Sequence, residues 1–250
     1  MAYYLYLGCI IPNLFPEIER ATRDILAKLN VEFSDMKGAS CCAPPGLLGV
    51  HRDSWLVLNR RNLSMADGVI ITPCDECFAS LQDARGILSE SIKDLPEVKP
   101  LPQFISGNLQ SIGEKFQGGL NLKCAVQHSC HLLRPSETRK VDDPEAPKLI
   151  ADLLNAIGCE RVVHEDELAC CGGLIYEGSE VGIKLAMRKV DACNRSGADC
   201  VVTTCAHCLR QLRKVSTTMP ILHLAQLYAL ATGSEPSSIG IPDTLRMSKR

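Results

Sequence analysis

The sequence carries almost no net charge: 27 Lys and Arg against 29 Asp and Glu leave -2 at neutral pH. With no excess of either sign, there is no electrostatic reason to expect nucleic acid or an anionic membrane as the main partner. The sequence also lacks any apolar run near the roughly 20 residues that a membrane-spanning helix requires, so no direct membrane insertion is expected. The opening Met1-Ala2-Tyr3-Tyr4-Leu5-Tyr6-Leu7-Gly8-Cys9 has no basic stretch of the kind that begins a secretory leader, and it reads as a strand. A cytoplasmic location is expected, and structural disulfides do not persist there.

What is abundant is cysteine, 14 in 250 residues, and with disulfides set aside metal binding becomes the leading explanation. The 46% of hydrophobic residues is enough to fill a core at this length.

The chain alternates strand-like and helix-like patterns, the order of an α/β fold. In the first half, strands are expected around 3–7, 31–36 and 68–72, and helices over 15–29, 54–65 and from 74 through 87. The second half repeats the order, with strands at 122–127, 161–164 and 199–203 and helices at 146–157, 179–194 and 209–215. Cysteines fall where strands end. The spacing from Cys9 to Cys41 is 32 residues and from Cys130 to Cys170 is 40; from Cys42 to Cys74 it is 32 and from Cys171 to Cys205 it is 34. Each half closes with C-x-x-C, so the chain reads as a duplication. The expected fold is α/β with two tandem pseudo-symmetric Rossmann-like halves and cysteines at the C-terminal ends of strands. The halves are placed at 1–95 and 121–232. Between them 96–120 is expected to be a linker, because Pro96, Pro100, Pro102, Gly107, Gly113, Gly118 and Gly119 break regular structure. Residues 134–147 are expected to form an exposed loop, and 233–250 a loosely ordered tail.

A C-x-x-C at a strand-to-helix turn brings two sulfurs together, and the free N–H groups of the helix N-terminus favour thiolates and an anionic cluster. Adjacent cysteines such as Cys41-Cys42 and Cys170-Cys171 diverge and rarely share one zinc ion, whereas a multi-iron cluster can use both on different irons. Adding Cys9 and Cys130 gives five sulfurs per half, one more than tetrahedral zinc or an ordinary cubane cluster needs. A four-thiolate zinc site with one spare thiol stays open as an alternative. Cys124, Cys159, Cys193 and Cys200 sit in apolar or helical runs and read as small buried hydrophobes. His207, inside the second C-x-x-C, is positioned to donate a proton to a leaving thiolate or to hydrogen-bond a sulfur; Asp75-Glu76 fills the same spacer in the first half. His128 and His131 flank Cys130. Gly172-Gly173 is expected to permit positive φ and close approach of the backbone to a cluster.

Cys9, Cys41-Cys42, Cys74/Cys77 and then Cys130, Cys170-Cys171-Gly172, Cys205/Cys208 together closely resemble the duplicated CCG cysteine-rich domain, and in particular the B subunit of heterodisulfide reductase. The resemblance takes in Leu7-Gly8-Cys9-Ile10-Ile11-Pro12-Asn13, Ser40-Cys41-Cys42-Ala43-Pro44-Pro45-Gly46 and His131-Leu132-Leu133-Arg134-Pro135. It implies two noncubane [4Fe-4S] clusters, each held by the five cysteines of one half, facing a cleft where a disulfide is split into two thiols. Cys41, Cys42, Cys170 and Cys171 would act through those clusters, with His207 beside them. It further implies electrons delivered by a ferredoxin-like iron–sulfur subunit, fed by a flavin-bearing subunit or a membrane cytochrome. This chain has Ala206-His207 where methanogen-type subunits usually have Pro-Phe, which leaves the methanogen heterodisulfide open as substrate. Related subunits of sulfur-oxidising microbes work on small or protein-bound sulfur compounds in the oxidative direction. The same domain also occurs in quinone-linked dehydrogenase assemblies, where a non-catalytic electron relay is the competing role.

Overall fold

The computed structural model describes residues 2–175, 179–243 and 245. The first half runs β1 (Tyr3–Leu5), α1 (Ile10–Leu14), α2 (Pro16–Lys28), β2 (Ser34–Asp35), α3 (Pro45–Val50), α4 (Arg52–Leu63), β3 (Val69–Thr72), α5 (Asp75–Leu88), β4 (Glu97–Pro100), α6 (Leu101–Gly107) and α7 (Leu109–Gly113). The second runs β5 (Lys123–Gln127), α8 (Cys130–Leu133), α9 (Ser136–Arg139), α10 (Leu149–Ala156), β6 (Glu160–Val162), α11 (Glu180–Arg195), β7 (Cys200–Thr203), α12 (Ala206–Val215), β8 (Ile221–His223) and α13 (Leu224–Ala231), followed by a 3-10 turn at Pro236–Ile239.

Two four-stranded sheets result, ordered β2-β1-β3-β4 and β6-β5-β7-β8, with every pairing parallel. The identical order bears out the duplicated α/β reading. A central parallel strand is covered on both faces, so its sequence is continuously apolar rather than alternating. Val69-Ile70-Ile71-Thr72 and Cys200-Val201-Val202-Thr203 are buried throughout. α2 shows the complementary pattern. Pro16 starts it, Glu17 and Glu19 face the positive end of its dipole, and Ile18, Ala21, Thr22, Ile25 and Leu26 form the buried stripe.

In each sheet the strand order reverses beside the first strand, between β1 and β3 and between β5 and β7. The crevice at the carboxyl ends of such strands is where open α/β sheets place their ligands. Cys9 follows β1 and Cys74 follows β3; Cys130 follows β5 and Cys205 follows β7. All four therefore open onto these crevices.

Residues 96–120 are not the structureless linker expected from composition. β4 pairs with β3 from Val69↔Glu97 to Thr72↔Pro100, completing the first sheet. The prolines there do not interrupt structure, because Pro100 ends a strand and Pro102 lies in the first turn of α6, where a missing N–H costs nothing. The described part of the tail, 233–243 and 245, also differs from expectation, while 244 and 246–250 lie outside the described residues. Ile239, Ile241 and Leu245 are buried, and the Ser234 hydroxyl donates to Asp24 at 2.7 Å. Within 134–147, α9 buries Arg139. α13 went unread from the pattern: it is buried on all sides and packs against α2 of the other half.

Candidate metal centre

The four turns that follow β1, β3, β5 and β7 place the cysteines. Cys74 and Cys205 are the N-caps of α5 and α12, both with extended backbone, and each is succeeded by its C-x-x-C partner in the first turn. Cys9 precedes α1 and Cys130 opens α8. Gly8 is required here: its φ is +68° and a Cβ on it would stand 2.6 Å from Cys77 Sγ.

The ten sulfurs named in the sequence come together. In the first half, Cys9 Sγ lies 3.6 Å from Cys41 Sγ. Thiol contacts continue from Cys41 to Cys42, from Cys42 to Cys77 and from Cys77 to Cys74. In the second half, Cys130 touches Cys170, Cys170 touches Cys171, Cys171 Sγ lies 3.1 Å from Cys208 Sγ, and Cys208 touches Cys205. Cys74 touches Cys205, so the two sets meet at their C-x-x-C turns in a palindromic order.

Each set lines its own cavity. One, of about 50 Å³, is bounded by Cys9, Cys41, Cys42, Cys74 and Cys77, with Ile10 and Ile11 beside them. The other, of about 230 Å³, is bounded by Cys130, Cys170, Cys171, Cys205 and Cys208, with Leu174 and Ile175. His207 walls both cavities, while Glu76 and His131 wall the second. Clefts of about 290 and 420 Å³ elsewhere on the first half both include Arg23 and contain no cysteine, so size does not mark the chemical site.

The electrostatics of the adjacent cysteine pairs repeat between the halves, whereas those of the C-x-x-C turns do not: bonds from Cys205 and Cys77 hold the Cys74 thiol low, while the Cys205 thiol is raised by Cys74 and by burial against the bond from Cys208. Cys41 is held low, at about 2, by hydrogen bonds from Cys42 and then Cys9, helped by the Ala43 backbone N–H. Cys170 is held at about 2 in the same way by Cys130, Cys171 and the Gly172 N–H. Their donors Cys9 and Cys130 are pushed up by those same bonds. Ala43 and Gly172 occupy matching places, with φ of 49° and 77°. The close approach expected of Gly172 is to protein: a Cβ there would meet Gly182 O of α11 at 2.5 Å.

Hydrogen bonds and contacts cross the boundary between the halves at this point. The Thr204 hydroxyl donates to Asp75 Oδ2 at 2.5 Å, and Glu76 Oε2 lies 3.0 Å from His207 Nε2. Burial pushes the Glu76 carboxyl up to about 9, so it is neutral at pH 7. Position three of each C-x-x-C thus supplies one member of a pair, a relation readable from spacing but not drawn from it. Leu174, Ile175 and Ser129 were also not foreseen as lining residues. His131 lines the second cavity, whereas His128 lies 3.5 Å from Glu167, away from the sulfurs.

The remaining four cysteines stay out of both sets. Cys124 Sγ lies 3.7 Å from Cys200 Sγ and contacts Cys159, all three buried near the N-terminal ends of β5 and β7. Cys193 Sγ sits 3.8 Å from His164 Nε2 in the core behind α11.

All-thiol donors suit zinc or iron–sulfur clusters. Among the described residues, no three His, Cys, Asp or Glu side chains converge on a point that one ion could occupy. Five soft donors spread around a cavity, with helix N-termini behind Cys74 and Cys205, fit a polynuclear iron–sulfur cluster better than a single tetrahedral ion.

The sequence profile of the CCG cysteine-rich domain matches twice, at residues 3–82 and 124–213, and the chain belongs to that family. It is 31% identical to the B subunit of a ferredoxin:CoB-CoM heterodisulfide reductase of Methanosarcina mazei, over 95% of this chain and 91% of that one. It is 27% identical to an 8-methylmenaquinol:fumarate reductase membrane anchor subunit of Wolinella succinogenes, over 96% and 95%. A solved structure of a hypothetical protein from Helicobacter pylori superposes with a TM-score of 0.72 at 12% identity, covering 96% of this chain and 50% of that one, and shares its fold. These relationships support an iron–sulfur oxidoreductase role within a complex. Among the described residues, no helix is long and apolar enough to cross a membrane.

Proposed function

We propose that this chain is the catalytic iron–sulfur subunit of a heterodisulfide reductase-type complex, acting on a disulfide or, in the oxidative direction, on thiols or sulfane sulfur. The observation that carries this reading is the pair of five-sulfur cavities meeting at Cys74 and Cys205. Cys9, Cys41, Cys42, Cys74 and Cys77 would hold one noncubane [4Fe-4S] cluster, and Cys130, Cys170, Cys171, Cys205 and Cys208 the other. Bound there, the clusters supply one-electron redox chemistry at two neighbouring points. Cleavage of one disulfide consumes two electrons and two protons and releases two thiols, the electrons coming from a ferredoxin-like partner subunit served by a flavin-bearing one.

The chain's own contribution is to hold and enclose. The α5 N-terminus stands behind Cys74, whose thiol is held low, and the α12 N-terminus stands behind Cys205, each favouring a bound anionic group. Ile10 and Ile11 give one cavity an apolar wall, and Leu174 and Ile175 give the other one. His207, shared by both, presents its imidazole where a departing thiolate needs a proton, and neutral Glu76 fixes its orientation. Cys9, Cys41 and Cys170 are exposed, which gives a sulfur substrate access to both sets. A pure relay has no use for that access, and a cytoplasmic subunit of a soluble assembly fits it.

The test is electron paramagnetic resonance of the anaerobically purified, oxidised chain with small thiols added. Catalysis on sulfur is expected to give signals that depend on the thiol. Spectra indifferent to every thiol would favour the relay role of CCG subunits in quinone-linked assemblies.

A further inference from the structure

The two C-x-x-C turns share one local device. Two residues before each opening cysteine stands a threonine whose hydroxyl accepts that cysteine's backbone N–H, Thr72 for Cys74 and Thr203 for Cys205, both at 3.4 Å. The positions on either side of the cysteines are not shared. Counting from those cysteines, Thr204 stands where the first half has Pro73, and Asp75 stands where the second half has Ala206. The Thr204 hydroxyl donates to Asp75 Oδ2 at 2.5 Å, across the boundary between the halves. The pair that the duplication would set opposite it, Pro73 with Ala206, has no side-chain group able to form a hydrogen bond.

Both partners are sealed from water, Asp75 at 0% exposure and Thr204 at 2%. A buried carboxyl that loses its partner costs free energy, so the two turns are held in the arrangement that makes this bond. Its place in the chain ties it to the sulfurs. Asp75 directly follows Cys74 and Thr204 directly precedes Cys205, the two cysteines at which the sets touch. Ser129, which directly precedes Cys130, bears on the same carboxyl. One first-half side chain thus reaches the residues ahead of two second-half cysteines. Glu76 and His207, 3.0 Å apart, also cross the boundary, but His207 is less deeply buried.

Chemistry that uses two centres on one bond depends on how far apart they stand, and misplacing reacting groups by about 1 Å can cost about a hundredfold in rate. We propose that the hydrogen bond from Thr204 to Asp75 is a positioning element: it fixes Cys74 against Cys205 and so sets the distance between the two sulfur sets. This rests on the iron–sulfur reading above. The pair itself passes neither protons nor electrons; it holds.

The experiment is electron paramagnetic resonance of the full chain, purified anaerobically and fully reduced. Two paramagnetic centres side by side split each other's signals, and the splitting falls with the cube of their separation. Cys41→Ser and Cys170→Ser, each retaining one centre, supply the unsplit reference spectra. Asp75→Ala, which copies the second half's own Ala206, and Thr204→Val, which removes the hydroxyl at nearly constant shape, should each keep both centres and lose splitting. Asp75→Asn, which keeps an acceptor, and Thr204→Ser, which keeps a donor, should show the wild-type splitting. Unchanged splitting in either removal variant that folds, or an Asn or Ser variant altered as far as Ala or Val, would overturn the proposal. So would failure of both removal variants to fold or to assemble the second centre, because the bond would then be structural. A wild type that holds iron in two centres and shows no splitting would overturn it too. A wild-type chain without iron would instead remove the iron–sulfur reading itself, and would show before any variant was made.

Discussion

Glu76 Oε2 and His207 Nε2 lie 3.0 Å apart across the boundary between the halves, at the same position of the two C-x-x-C turns. Because burial keeps the Glu76 carboxyl neutral up to about pH 9, its shape and polarity matter more than a charge. Glu76→Gln should therefore unfold within about 1 kcal/mol of wild type, whereas Glu76→Ala, which empties a fully buried site beside the imidazole, should cost about 2 kcal/mol or more. Chemical denaturation under nitrogen, followed by circular dichroism, checks both; a Gln variant as unstable as the Ala variant would show that the carboxylate charge is needed.

His223 predicts a pH dependence. Its Nδ1 accepts the Ala225 N–H at 3.1 Å while the Gln226 side chain accepts the His223 backbone N–H at 2.8 Å, so the ring caps α13 in its neutral form. Full burial lowers its pKa to about 4. A histidine with a depressed folded-state pKa contributes stability above its unfolded value near 6.5, and that contribution is lost as pH falls toward 4. The wild type should lose roughly 2 kcal/mol between pH 7 and pH 5 from this residue. His223→Asn, which retains a capping oxygen and does not titrate, should flatten that slope in urea denaturation at the two pH values.

Arg139 ties α9 to α5. Its guanidinium grips both oxygens of Asp83, at 2.5 and 2.9 Å, and donates to His131 O at 2.9 Å, next to Cys130. Arg139 is buried and Asp83 is not fully so. Arg139→Ala should cost about 3 kcal/mol, measured by denaturant midpoint, because it strands a half-buried carboxylate. Loss of less than about 1 kcal/mol would mean that the pair behaves like a surface one.

Much of this site was readable from residue spacing. All ten proposed ligands are side by side in the structure, because duplicated strand-to-helix turns put cysteines at equivalent points of equivalent sheets. Central strands such as Val69–Thr72 and helices such as Pro16–Lys28 follow from apolar runs and from a clear buried stripe. What escaped depended on context. β4 was hidden because Pro96, Pro100 and Pro102 read as breakers, although a strand end and a first helical turn both accept proline. β8 is a three-residue strand, and α13 is buried on every side, so neither has a clear polar face to detect. The bond from Thr204 to Asp75 could not be picked out from spacing, since only tertiary packing brings the two turns together.

Cys41→Ser and Cys170→Ser, made separately, should each abolish one resonance signal and leave the other in place with the chain still folded. Each cysteine belongs to one cavity only, and each is the thiol held low in its adjacent pair. Loss of both signals from either substitution would mean a single shared centre bridging Cys74 and Cys205.

Counting metal is the most direct measurement. The chain isolated under nitrogen should be coloured and should yield about eight iron atoms and about eight sulfides, two four-iron clusters' worth. A colourless protein carrying zinc and no sulfide would contradict the account.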